Sequence, residues 1–284
     1  MNRTWTPYRA GLLRGLLEFR YFVTSAAEMT GALFPSLIAL VVMIFLRDTD
    51  VDSSVVSLGA MTMPSLIGMN IAFGGLMNVL GILATEREDG TLLRAKAIPG
   101  GMTGYLVGVV VLTALSTVMT LLVMMVPALT LFDGVGLNGL GGTLTLLWVL
   151  TVGLVATMPM GAALGSLISS PRLVGLLMLP ITGLIAVSGI FYPVTALPGW
   201  VQGIAQVFPF YWLGLGTRSA MLPDAMVAVE IGQSWRHLET LAVLGGWAVA
   251  GMLLAPLLLR RMARRESGSA VAARRERAMQ SAVR

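Results

Sequence analysis

Six apolar runs separated by short polar breaks set the pattern of this chain. They fall at residues 31–46, 58–84, 102–126, 143–168, 173–191 and 238–259. About 20 apolar residues suffice to cross a bilayer as a helix. The first run reaches full length by starting at Met29. The pattern predicts an all-α integral membrane protein with six transmembrane helices: an N-terminal segment over residues 1–28, a six-span domain over 29–259 and a basic tail over 260–284.

The N-terminal segment has no continuous apolar core, because Arg9, Arg14, Glu18 and Arg20 interrupt it; it is not a cleavable signal. Tyr8, Leu12, Leu16, Phe19 and Val23 recur instead at helical spacing. That predicts an amphipathic helix lying in the headgroup region of the cytoplasmic leaflet.

The second run is long enough to tilt or kink, with Pro64 as the candidate kink. Within it Met63, Asn70, Gly74, Met77, Asn78 and Gly81 fall on one side of a helical wheel. Amides in hydrocarbon are costly unless paired or facing a cavity. Two readings stay open: packing between helices, or a substrate-pathway face formed by Asn70, Phe73, Met77 and Asn78. In the third and fourth runs Gly104 with Gly108, and Gly161 with Gly165, have the four-residue spacing of close helix packing. Pro127 is expected to begin a glycine-rich loop, and Ser169–Arg172 a tight turn.

Composition changes the picture in two ways. The 284 residues are 56% hydrophobic and only 12% charged, about half the charge that a water-facing surface needs. Cysteine is absent, which removes thiolate nucleophiles and thiolate metal sites. The one histidine, His237, lacks partners for a metal and reads as structural. With a single histidine and carboxylates only at segment ends (Glu28, Glu86, Glu239), an intramembrane hydrolase has no catalytic set. An ion-coupled secondary transporter would need a charge near a span's centre, and none is found there.

The polar island Glu86-Arg87-Glu88-Asp89-Gly90-Thr91-Leu92-Leu93-Arg94-Ala95-Lys96 is the densest cluster of charge between the runs. Gly90 offers a left-handed turn, Thr91 a cap for a short helix, and Pro99-Gly100-Gly101 an interruption before the third run. With the N-terminus inside, cytoplasmic segments hold 16 Lys and Arg: 4 in residues 1–28, 3 in the island, Arg172, and 8 in the tail. Only Arg47, Arg218 and Arg236 fall outside. Positive charge accumulates on the cytoplasmic side, so both termini and the island are expected there. The tail reads as a stop-transfer and anionic-lipid contact, with no nucleic acid implied.

Between the last two runs, Ser188-Gly189-Ile190-Phe191-Tyr192-Pro193 leads into Pro198-Gly199-Trp200. Trp200, Val201, Ile204, Val207 and Phe208 then form an apolar stripe ending at Pro209. A helix bounded by prolines at this length cannot span. It should lie on or dip into the outer leaflet, anchored by Trp200, Tyr211 and Trp212. Residues 213–235, with Arg218, Asp224 and Glu230, read as a polar extracellular segment.

E-R-E-D-G-T-L-L after the second run resembles the signature of ABC-2-type export permeases. So does the order S-G-I-F-Y-P, P-G-W, P-F-Y. The resemblance implies that Glu86, Arg87, Glu88, Gly90 and Thr91 form a coupling helix docking on an ATP-binding subunit. It also implies a re-entrant hairpin near an exit, including Phe191, Tyr192, Pro193 and Trp200. The chain has no phosphate-binding G-x-x-x-x-G-K-[ST] loop, so ATP and Mg would sit on the partner. Two ATPase copies and a second permease copy, enclosing the path between protomers, are the implied partners beside membrane lipid. Short outer loops and an apolar interior resemble the daunorubicin-exporter branch, which implies a drug-like or amphiphilic cargo; 19 methionines suit an adaptable apolar path. Export of lipid-linked polysaccharide or teichoic acid is the alternative; such paths are lined by aromatic belts, and aromatics make up 7% of this chain. The bacterial inner membrane is the expected location.

Overall fold

Apolar runs without internal charge satisfy their backbone only by closing hydrogen bonds along the same segment, so they fold as helices. The computed structural model describes residues 5–47, 57–168 and 171–265, and no strand occurs among them. The helices are α1 (Thr6–Thr24), α2 (Ala26–Phe45), α3 (Leu58–Phe73), α4 (Val79–Glu88), α5 (Thr91–Lys96), α6 (Gly101–Leu131), α7 (Gly139–Leu167), α8 (Pro171–Ala186), α9 (Gly199–Val207), α10 (Pro209–Met221) and α11 (His237–Arg265). A π-helical turn, Gly74–Asn78, joins α3 to α4 in one continuous span. The acidic loop after residue 47, the 169–170 turn and the tail beyond residue 265 lie outside the described residues.

Among the described residues five helices are long and apolar enough to cross a membrane: Ala26–Phe45, Leu58–Glu88, Gly101–Leu131, Gly139–Leu167 and His237–Met262. The fifth expected run is helical only over Pro171–Ala186. Sixteen residues extend about 24 Å, short of the usual hydrocarbon thickness. The rest of that run is taken up by the bend at Gly189, whose φ is +72°.

Two helices run through prolines, one expected to begin a loop and the other to kink its helix. Pro127 lies inside α6, which continues to Leu131, and Pro64 lies inside α3. The irregularity of the second span falls at Gly74–Asn78. A wider turn costs least where two glycines leave room for it.

The span α3–α4 is the centre of the bundle, with Met63, Leu66, Ile67, Ile71 and Leu80 almost wholly buried. It is packed by α6, α7 and α10. Small residues set these approaches. A Cβ at Gly161 of α7 would strike the Leu76 carbonyl, and one at Gly68 of α3 would sit 2.6 Å from the Leu213 carbonyl of α10. Gly104 and Gly108 pack closely as expected, but against α1: a Cβ at Gly15 would lie 2.8 Å from the Gly108 carbonyl.

The larger correction concerns α10. Every one of its residues from Pro209 to Met221 is buried, and it packs between α3 and α7. Tyr211 and Trp212 are 0% and 2% exposed, so they are core residues and not interfacial anchors. Trp200 on α9, 71% exposed, is placed as an anchor would be. Thirteen residues with one charge are too apolar to stay in water, and the glycines of α10 let its neighbours close over it.

Candidate functional site

The polar island is built as a helix end, a left-handed turn and a short helix. Asp89 accepts a 2.7 Å hydrogen bond from the Thr91 amide. Asp89 is therefore the side-chain cap; Thr91 instead accepts from the Arg94 guanidinium at 2.8 Å. Gly90 has φ +81° and Gly100 φ +72°, the positive values each reversal requires. Leu92, 1% exposed, pins α5 to the bundle, while Arg94 and Lys96 face outward.

The first two island residues are engaged by this chain's own helices. Arg14 of α1 donates to the Glu86 carboxylate at 2.6 Å and to Glu18 at 2.7 Å, and lies 4.9 Å from the centre of the Tyr105 ring. Burial alone would lower the Arg14 guanidinium, but the hydrogen bond to Glu18 and the charges of Glu86 and Glu18 outweigh it and raise it. It is charged at every working pH. Arg87 donates to the Ser166 and Ile168 carbonyls at 3.4 and 2.7 Å, closing the exposed carbonyl end of α7. Glu88 remains half-buried beside the turn.

Two clefts meet at Glu86. One, of about 1140 Å³, lies between α1, α5 and the start of α6, with Pro7, Arg14, Thr91, Arg94 and Tyr105 in its walls. The other, of about 920 Å³, runs between α1, α2, the α3–α4 span and α6. All four pathway candidates line it: Asn70, Phe73, Met77 and Asn78. Gly74 and Gly81 line it too, whereas Met63 is buried in the core. Asn70 donates to the Ser36 hydroxyl at 3.5 Å and accepts from Thr120 at 3.0 Å; Asn78 donates to Ser116 at 3.4 Å. These amides bond between helices and also line a cavity wall. Toward the island end the wall carries Glu18, Glu28, Glu86 and Asp89, and among the described residues no lysine or arginine lines the cavity.

At the opposite end the S-G-I-F-Y-P stretch forms a tight bend. The Tyr192 hydroxyl donates to the Ala186 carbonyl at 2.6 Å, Phe191 is 39% exposed, and Pro193 leads into a single short turn. This bend is held from inside by a group the sequence reading placed in water. Arg218 of α10 donates to both Glu230 oxygens at 2.6 and 3.1 Å, to the Ser65 hydroxyl at 2.8 Å and to the Gly189 carbonyl at 3.2 Å. Its side chain is 3% exposed and that of Glu230 4%. The signal available in the sequence was a lone arginine within the apolar stretch 209–222. A second clamp sits beside it: Arg236 donates to Gln206 at 2.7 Å and covers the Trp212 ring at 4.7 Å.

Among the described residues no group of three or more His, Asp or Glu side chains could hold a metal. His237 packs edge-on against Trp148, with ring centres 6.4 Å apart. The sequence model of one family, described as ABC-2 family transporter protein, matches residues 44–255. No curated protein matches the chain.

Proposed function

This chain belongs to the ABC-2 family of transporters, as a multi-pass membrane subunit, and on that premise we propose that it is the permease of an ATP-driven exporter for amphiphiles. The island supports the reading most directly. Residues 86–96 form the end of α4, a left-handed turn and the short helix α5 between two long spans, with α1 and α7 gripping the root through Arg14–Glu86 and through Arg87. A push on α5 is thereby delivered to three helices at once. The ATPase subunits would dock on the outward side of α5 and near Glu88. The island faces the cytosol of a bacterial inner membrane, and two permeases enclose the path. ATP drives the change only by binding the two states with different affinity.

The cavity wall speaks to cargo. Amides and hydroxyls sit beside apolar surface, and the four carboxylates at the island end outnumber the one guanidinium, Arg14, that bonds two of them. Such a field attracts an amphiphile with a cationic head and repels the phosphates of a lipid-linked glycan. A drug-like cation fits this wall better than teichoic acid.

Because the natural chain has no cysteine, Arg94→Cys gives a single reporter for side. The reading expects it to react with an impermeant maleimide only after the cytosol is opened, and to be masked by a co-purifying ATPase subunit. ATP hydrolysis by that complex in liposomes should rise with a quaternary-ammonium amphiphile and stay flat with an anionic one. Glu88→Ala should leave insertion intact and abolish that stimulation. Labelling of Arg94→Cys from outside intact cells would end the proposal.

A further inference from the structure

The π turn Gly74–Asn78 sits at mid-span, between the amide ladder above it and the island below. On an unbroken α-helix, residues eight apart lie about 80° apart around the axis. The π turn takes up one extra residue, so Asn70 and Asn78 behave as a seven-residue pair, about 20° apart. That alignment lets both meet α6, where Thr120 and Ser116 lie on one face. Below the turn, Gly81, Ile82, Thr85 and Asp89 continue the same wall.

Two threonines pack closely on the turn, and they differ in how their hydroxyls are used. A Cβ at Gly74 would fall on the Thr117 hydroxyl, and one at Gly75 on the Thr157 hydroxyl. Thr157 is committed, donating to the Gly153 carbonyl at 2.8 Å. Thr117 is 1% exposed and its hydroxyl has no partner among the described residues. A buried hydroxyl without a partner costs free energy. Here it lies beside a helical turn whose carbonyls would have to exchange partners if the extra residue were expelled.

We propose that Gly74–Asn78 is a register switch. Turning α5 closes the π turn to α, Thr117 bonds a carbonyl left over in the exchange, and the lower half of the span rotates by about 100°. Asn78 leaves Ser116, and the wall below the turn withdraws from the cavity while the wall above it stays. The coupling is reciprocal: cargo bonded to Asn78 opposes the rotation and so opposes the island's movement. This rests on the permease reading above.

The test uses the complex with its co-purified ATPase subunit and single cysteines in the full chain. Gly81→Cys and Thr85→Cys report below the turn, Met69→Cys and Phe73→Cys above it, and Arg94→Cys the island. N-ethylmaleimide is the probe, with and without ATP and vanadate. The expected result is about tenfold slower labelling at Gly81→Cys and Thr85→Cys with nucleotide, and unchanged labelling at Met69→Cys and Phe73→Cys. If all four change together, or only Arg94→Cys responds, the switch is wrong and the permease reading survives. If Arg94→Cys does not respond either, both fall. Deleting Met77 removes the extra residue without changing the facing of α4, so that variant should bind the ATPase subunit but lose the nucleotide response at Thr85→Cys. A response retained in the deletion variant overturns the proposal. If that variant does not fold, the four cysteines still decide it.

Discussion

Arg14 and Glu86, 72 positions apart in the chain, meet at 2.6 Å where the N-terminal helix crosses the root of the island. The contact ties α1 to the root of the island. Glu18 of the same helix and the Tyr105 ring of α6 hold the same guanidinium from two further directions, so the Arg14 side chain is fixed in orientation.

The pair should behave as a unit. Arg14→Ala and Glu86→Ala each lower stability by about 1–2 kcal/mol, between the values for an exposed pair and a buried charged bond. The double variant should lose little more than either single one. Thermal unfolding in detergent measures the cycle. Full additivity would show that the contact carries no coupling.

Close packing of α1 on α6 can be tested separately. A Cβ at Gly15 would lie 2.7 Å from the Val111 Cβ, while one at Gly31 would have nothing within 4 Å. Gly15→Ala should therefore cost about 1–3 kcal/mol as an overpacked contact, and Gly31→Ala should not show that cost. Limited proteolysis after residue 20 gives the readout, because a displaced α1 frays and lets the bond after its exposed Arg20 enter a protease.

Much of this architecture was legible in the chain. Apolar runs of full length fold as helices for want of any other way to satisfy their backbone, and the positive-φ sites at Gly90 and Gly100 follow from glycine's freedom. Three features were not legible, each for a physical reason. Glu86 finds Arg14 only through tertiary packing. The π turn has no local signature, since Gly-Gly in an apolar run fits an unbroken helix equally well. Arg218 was placed in solvent because an arginine's desolvation cost is prohibitive without a partner, and its partner Glu230 lies 12 residues on, past a proline.

Arg87 should matter to structure more than its surface neighbours do. Its guanidinium closes the Ser166 and Ile168 carbonyls at the end of α7, and hydrogen bonds to a charged group are worth about 1.5–3 kcal/mol. Arg87→Ala is expected to lose that amount in detergent unfolding, whereas Lys96→Ala, at the exposed end of α5 where solvent screens charge interactions, should cost less than about 1 kcal/mol. Equal effects from the two substitutions would contradict the placement.

The Arg218–Glu230 pair offers the sharpest contrast between breaking and removing an interaction. The two side chains are 3% and 4% exposed, so the loss of one leaves the other charged and without water. Arg218→Met or Glu230→Gln alone should cost about 3–5 kcal/mol, much of it the desolvation of the remaining charge. Arg218→Met combined with Glu230→Gln leaves no charge behind, and should regain most of that loss. The bend at Gly189 would still lose its bond from Arg218, so labelling of Phe191→Cys should quicken in the double variant although stability returns. Chemical unfolding of the four proteins in detergent, with maleimide rates at residue 191, separates the two effects. A double variant no more stable than its worse parent would mean that the arginine acts through its bonds to Ser65 and Gly189 and not through its charge.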